Sequence, residues 1–290
     1  MQLLTLEDAR TRVRIVPELG AGIASLEALT PAGPIDVLRS WDGSAAPFAL
    51  GCNLLVPFSN RISGGGFRFE GTFHEVPANL AGEPFPIHGD GFQRPWSVTH
   101  AGPRAVTLTL AEGQIGPWHY AAALTVGLRD GALEVTLYIR NRSGRRLPFG
   151  GGFHPWFPRH PTTRLAFAAT GLWLEDERHL PLRHLAIADV PELDFRRNRP
   201  LPVTWVNNAF TGWDRRAEIQ QPGLSLHLTA SDVLTTAVIY SPDASAAFFC
   251  AEPVSHPVDA HNLPGMPGLM GLDDGAEIHL AMALLWRDRP

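Results

Sequence analysis

Four short stretches carry side chains that can do chemistry. Asn60 and Arg61 follow the apolar run Leu54–Phe58 and lead into Gly64-Gly65-Gly66. His88 sits in PIHGDGF, Pro86–Phe92. His154 sits in PFGGGFHPWF, Pro148–Phe157, beside Trp156. Glu252 leaves the apolar run FFCA and is followed by Pro253. A carboxylate leaving a buried strand is either ion-paired for structure, or has a raised pKa and serves as a base. A histidine among aromatics is either a satisfied core residue or a proton donor beside a platform for an apolar ring face. Gly89 and Gly91 would let backbone approach a ligand closely. Singly, each island also reads as a turn arginine, a loop histidine or a structural ion pair. Together they supply one guanidinium, two imidazoles and one carboxylate, each at the end of a run that reads as a strand. That set handles protons and hydroxyl groups.

Other chemistries drop out. All 24 basic residues are arginine, so no lysine can form a Schiff base, act as a general base or hold a phosphate loop. Cys-x-x-Cys, His-x-x-x-His on a helix and Gly-x-Ser-x-Gly are missing. His256 and His261 lie in the proline-bearing loop SHPVDAH. No metal and no cofactor are expected. A net charge of −5 argues against nucleic acid as a partner. No stretch approaches the apolar length of a membrane span. The start MQLLTLEDAR has no basic region like that of a signal peptide, so the expected location is cytoplasmic. The two cysteines, Cys52 and Cys250, are expected as buried thiols.

The elements that must position these groups are strands. Ala105–Leu110, Leu133–Ile139, Leu224–Leu228 and Glu277–Leu284 alternate apolar and polar residues, the mark of strands with one buried face. Leu124–Leu128 meets Leu133–Ile139 through Arg129-Asp130-Gly131-Ala132, a hairpin signal. Thr235–Tyr240 and Ala246–Ala251 are continuous apolar runs suited to core strands. Glu192–Asn198 offers at most one helical turn. With 28 glycines and 26 prolines between the runs, the reading is all-β, an antiparallel sandwich in one domain over residues 1–290. No internal repeat, linker or low-complexity tail appears.

The four islands, in this order, resemble the aldose 1-epimerase (galactose mutarotase-like) family. NRISGGGFRFEG is similar to that family's Asn-Arg-Ile-x-x-Gly-x-Phe-x-Phe-x-Gly with one extra residue. A His-Gly, a Gly-x-His-Pro-Trp-Phe and a late Glu-Pro follow. WVNNAFTGWDRRAEI, Trp205–Ile219, adds a fifth match, and the likeness runs from about Gly20 to Trp286. The resemblance implies a β-supersandwich with a monosaccharide held on one concave sheet, as monomer or homodimer. It implies Glu252 as general base, His154 as general acid and His88 near the ring oxygen. Arg61 and Asn60 would hold the sugar, with Asn207, Trp156 and Trp213 as further contacts. The family often has aspartate where this chain has Asn207, which leaves open an anionic hexose held by Arg159, Arg215 or Arg216. A hydrolase would need a second carboxylate, for which Asp259, Asp273 and Asp274 are nearest in sequence. A sugar-binding protein without catalysis is the remaining alternative.

Overall fold

The computed structural model describes residues 1–289. Two large antiparallel sheets face each other, one of 11 strands and one of 9, with two 2-stranded ribbons beside them. Among the described residues no helix is long and apolar enough to cross a membrane. The expected single turn near Glu192 is a 3-10 turn at Pro191–Leu193.

The alternating runs build the 9-stranded sheet. Trp118–Arg129 pairs with Ala132–Asn141, which pairs with Glu277–Asp288, then Leu224–Ala230. Asp130 and Gly131 take φ of 52° and 82° at the hairpin tip. Both central positions of this two-residue turn need positive φ, because only that backbone hand matches the strand twist. Leu124, Val126, Leu133, Val135, Leu137, Leu226, Leu280 and Met282 turn inward. Their polar neighbours face water, so the alternation is visible in the chain.

The 11-stranded sheet reads differently, for a physical reason. Its middle runs Cys52–Leu55, Gly152–Pro158, Phe248–Val254, Thr236–Ser241, Val206–Thr211 and Gly171–Glu175 in spatial order. One face, with Leu54, Phe153, Phe157, Phe249, Ile239, Phe210 and Leu172, packs on the core. On the other face many side chains are also shut from water, so the first three of these strands are buried nearly throughout. A strand covered on both sides loses its polar alternation. The uninterrupted apolar runs therefore mark the strands under the site.

Candidate active site

The strand register assembles the central pair. Gly152 pairs with Val254 and Trp156 with Cys250, which sets His154 opposite Glu252. On the other side His154 pairs with Asn53. His154 Nε2 stands 3.3 Å from Glu252 Oε1. The two residues are 6% and 2% exposed. Neither stands at a strand end, as the sequence suggested. Both lie within central strands, and Phe248–Val254 continues through Pro253.

Four buried polar atoms near this point lack a partner: Glu252 Oε2, His154 Nδ1, Asn53 Oδ1 and Trp156 Nε1. Buried polar atoms are nearly always hydrogen-bonded, so a group of orphans on one face marks a place for a polar ligand. Phe48 covers the pair, stacked on Phe92 at 5.0 Å and lying 5.7 Å from the His154 ring. A cavity of about 240 Å³ beside it is lined by Pro47, Phe48, Asn53 and Phe92.

Burial sets the protonation of the pair. It raises the Glu252 carboxyl well above the usual range, against the pull of the Arg61 charge. It lowers His154 to about 3, with the Arg39 charge adding to the shift. Opposite charges 3.3 Å apart would attract and favour the charged form of each. Loss of water opposes this and shifts the pair toward carboxylic acid and neutral imidazole. Burial likewise keeps His88 neutral, helped by His154, Arg61 and His256.

Arg61 and His88 come from loops. His88 Nδ1 accepts from the Asn60 N–H at 3.0 Å, so the proton of this neutral ring is on Nε2. The His88 ring lies 5.4 Å from the His154 ring. Arg61 is fixed less by the strand before it than by Glu83, which accepts from Nε at 3.1 Å and Nη2 at 3.0 Å. A bridge to Ile87 adds to this. Two-point pairing sets the plane of the guanidinium. Asn60 is left-handed, φ 57°, and spends its Oδ1 on the Arg61 N–H. The Gly64–Gly66 loop is tied by Asp259, which accepts from Ser63 N and Oγ at 2.9 and 2.6 Å.

Gly89 serves the backbone rather than a ligand. Its φ is +67°, and a Cβ there would lie 1.8 Å from the Val56 carbonyl oxygen. Gly89→Ala is expected to cost about 3 kcal/mol of stability, read as a lower midpoint in urea unfolding. An unchanged midpoint would mean that this close approach is not kept in solution.

Several sequence expectations need correction. Trp213 is in the core, its Nε1 donating to the Arg216 carbonyl, so it does not touch the cleft. Trp156 is on the cleft face but offers no free ring: His154 stacks on it at 4.7 Å and the Arg39 guanidinium lies 4.2 Å from its centre. Only its orphan Nε1 is left for a ligand. Arg159 is bound to Ser241 Oγ and the Pro202 carbonyl. Arg215 pairs with Asp232, and Arg216 heads a strand of the other sheet. None of the three meets the pair. Asp259 is taken by Ser63, while Asp273 and Asp274 lie at Arg146 and Gly144, so none supplies a second carboxylate beside Glu252. His256 accepts from the Ser59 N–H and its Nδ1 lies 2.9 Å from the Pro257 carbonyl; His261 packs among Phe58, Phe67 and Trp118. The contacts of His256 are structural, whereas both ring nitrogens of His261 are buried without a partner.

Sequence reasoning missed Arg39, Phe48, Asn53, Glu83 and Cys250, whose places depend on register or loop path. The thiol of Cys250, raised by burial, has its sulfur within 4.8 Å of donor atoms of His154 and Glu252. Imidazole, thiolate and carboxylate are ligands that suit zinc, although a metal would first have to displace the thiol proton. Spacing could not show this trio, because its members come from two strands.

The family model for aldose 1-epimerase matches residues 2–284. The chain belongs to the aldose 1-epimerase family. Within it, the chain is 34% identical over 257 residues to Escherichia coli K12 "Uncharacterized protein YphB", covering 86% of this chain and 88% of that one. It is 26% identical over 222 residues to YihR of the same organism, covering 72% and 71%. A crystal structure from Escherichia coli K12, provisionally named an aldose 1-epimerase, superposes with a TM-score of 0.91 at 31% identity over 99% of both chains. Galactose 1-epimerase of Lactobacillus acidophilus shares the fold alone, with a TM-score of 0.79 at 15% identity over 99% of this chain and 95% of that one. The fold is thus the galactose mutarotase-like sandwich that the sequence motifs implied.

Proposed function

We propose that this aldose 1-epimerase family member interconverts the α and β anomers of a hexose by opening and reclosing its ring. The observation that carries the reading is the His154–Glu252 pair, 3.3 Å apart, with an unpartnered buried atom on each residue. Mutarotation needs one group to take the C1 hydroxyl proton and another to protonate the ring oxygen, both bonded to the same carbon. The pair holds one exchangeable proton. Passing it from Glu252 to His154 yields a carboxylate base and an imidazolium acid, the roles assigned here. His88 presents its Nε2–H toward the ring oxygen, and Arg61, plane-locked by Glu83, holds hydroxyls and keeps the opened chain in place. Each well-placed proton transfer contributes roughly 10²–10⁴ in rate.

The test is anomer exchange by NMR or polarimetry with glucose, galactose, glucose 6-phosphate and a sulfonated glucose. Acceleration of at least one sugar is expected. The anionic sugars belong in the panel because Arg39, which has no carboxylate partner among the described residues, is the cation closest to Trp156. A panel with no response, together with sugar binding by calorimetry, would replace catalysis with the binding-protein reading.

A further inference from the structure

The cleft face carries a second polar cluster that the His154–Glu252 pair does not use. Trp156 pairs with Cys250, Cys250 with Tyr240 and Tyr240 with Asn207, so these side chains form one row across the sheet. The row continues to Glu175 at the end of Gly171–Glu175. With neighbouring strands about 4.8 Å apart, Glu175 stands three strands, or about 14 Å, from the strand of Glu252. It is therefore on the same sheet face, at its far side.

Glu175 is the hub of this cluster. It accepts from Asn207 Nδ2 at 2.6 Å and from Trp205 Nε1 at 2.6 Å. His179 Nδ1 lies 3.1 Å away. An amide nitrogen can donate to a carboxylate but its oxygen cannot, so this contact decides which way Asn207 faces. Asn207 Oδ1 is turned away and accepts no hydrogen bond among the described residues. Trp205 is 47% exposed although its Nε1 is tied down, with Tyr240 edge-on at 5.2 Å. Glu175 thus orients a free acceptor beside a half-exposed indole, on which the His179 ring stacks at 5.4 Å; an acceptor next to a partly open ring face is the pairing that a hydroxyl-bearing, C–H-faced ring requires.

We infer that Glu175 is a positioning residue that fixes Asn207 as the acceptor for a hydroxyl at the end of the sugar remote from C1. The inference rests on the proposed sugar site and specifies its distal half. Asn207→Asp would set a second carboxylate against Glu175, whereas Glu175→Gln with Asn207→Asp restores a donor facing an acceptor with the polarity reversed.

The experiment is this two-residue cycle, with KM and kcat from anomer exchange and Kd from calorimetry on the preferred sugar of the panel. Glu175→Gln is expected to raise KM and Kd about tenfold, the size of one lost oriented hydrogen bond, with the loss on KM rather than kcat. Asn207→Asp loses more, and the double variant recovers to within about threefold of wild type. A merely structural Glu175 would lower the melting temperature of both variants that carry Glu175→Gln and show no recovery on adding Asn207→Asp. That result, or an unchanged KM and Kd in Glu175→Gln, overturns the inference. If wild type binds sugar without accelerating exchange, the proposed catalysis fails while the Kd cycle still decides the role of Glu175. If wild type binds none of the sugars, both fail.

Discussion

Glu252→Gln lowers the rate of anomer exchange by about 10²–10⁴ and at the same time stabilises the protein. The rate falls because an amide of the same shape cannot take the C1 proton. The stability rises because the wild-type carboxyl is 2% exposed and one of its oxygens has no partner. Burial raises its pKa well above the usual carboxyl range. A group whose folded pKa is raised contributes stability below its unfolded pKa and loses it as pH climbs through the folded pKa. At neutral pH and above, the carboxyl is therefore a burden on the fold, and glutamine removes that burden. The gain is about 1–2 kcal/mol, typical for relief of a strained functional group, or about 2–4 °C in melting temperature for a chain of this size. Thermal unfolding at pH 5, 7 and 9 checks it: the gap between variant and wild type widens with pH. A variant that melts lower than wild type at every pH would mean that native partners hold the Glu252 carboxylate.

The pH–rate profile and its response to His154→Asn form the second large effect. The active form of the pair carries one exchangeable proton, so activity is lost when a second proton is added or when the only one leaves. The second proton goes to His154, whose pKa burial lowers to about 3. The acid limb therefore lies far below the value of a free imidazole. The alkaline limb follows the raised titration of Glu252. The profile is a broad bell, displaced on its acid side from the one that a solvated, charged pair would give. His154→Asn is expected to cost about 10²–10⁴ in kcat/KM and to abolish the acid limb.

Stability responds with the opposite sign to that of Glu252. A depressed pKa contributes stability that is present above the unfolded value of 6.5 and lost as pH falls through the folded value near 3. Wild type thus loses stability over that window and the asparagine variant loses less. Rates from pH 3 to 10, corrected for uncatalysed exchange, give the comparison. An acid limb centred near 6.5 would show that His154 is solvated and would reject the buried pair.

Local patterns in the chain were sufficient for one of the two sheets and for the principal polar residues. A strand with one wet face writes its geometry as alternation, as Leu133–Ile139 does, and Asp130-Gly131 is a turn that positive φ demands. Glu252, His154, His88 and Arg61 stand out because a charge or imidazole beside an apolar run is costly unless it is used. Glu175, at the end of GLWLE, carries the same kind of signal. What tertiary structure alone decided is how these groups meet. Register placed His154 between Asn53 and Glu252, residues far apart in the chain. Coverage of both sheet faces removed water, and that pushes the pair toward its neutral forms. The path of the loops spent Asp259 on Ser63 and locked Arg61 with Glu83. Packing drew Trp213 into the core and left Trp205 at the rim. The residue types able to carry the chemistry are a local property of the sequence; their distances, exposure and charge states arise from long-range pairing and the exclusion of water, which no local pattern records.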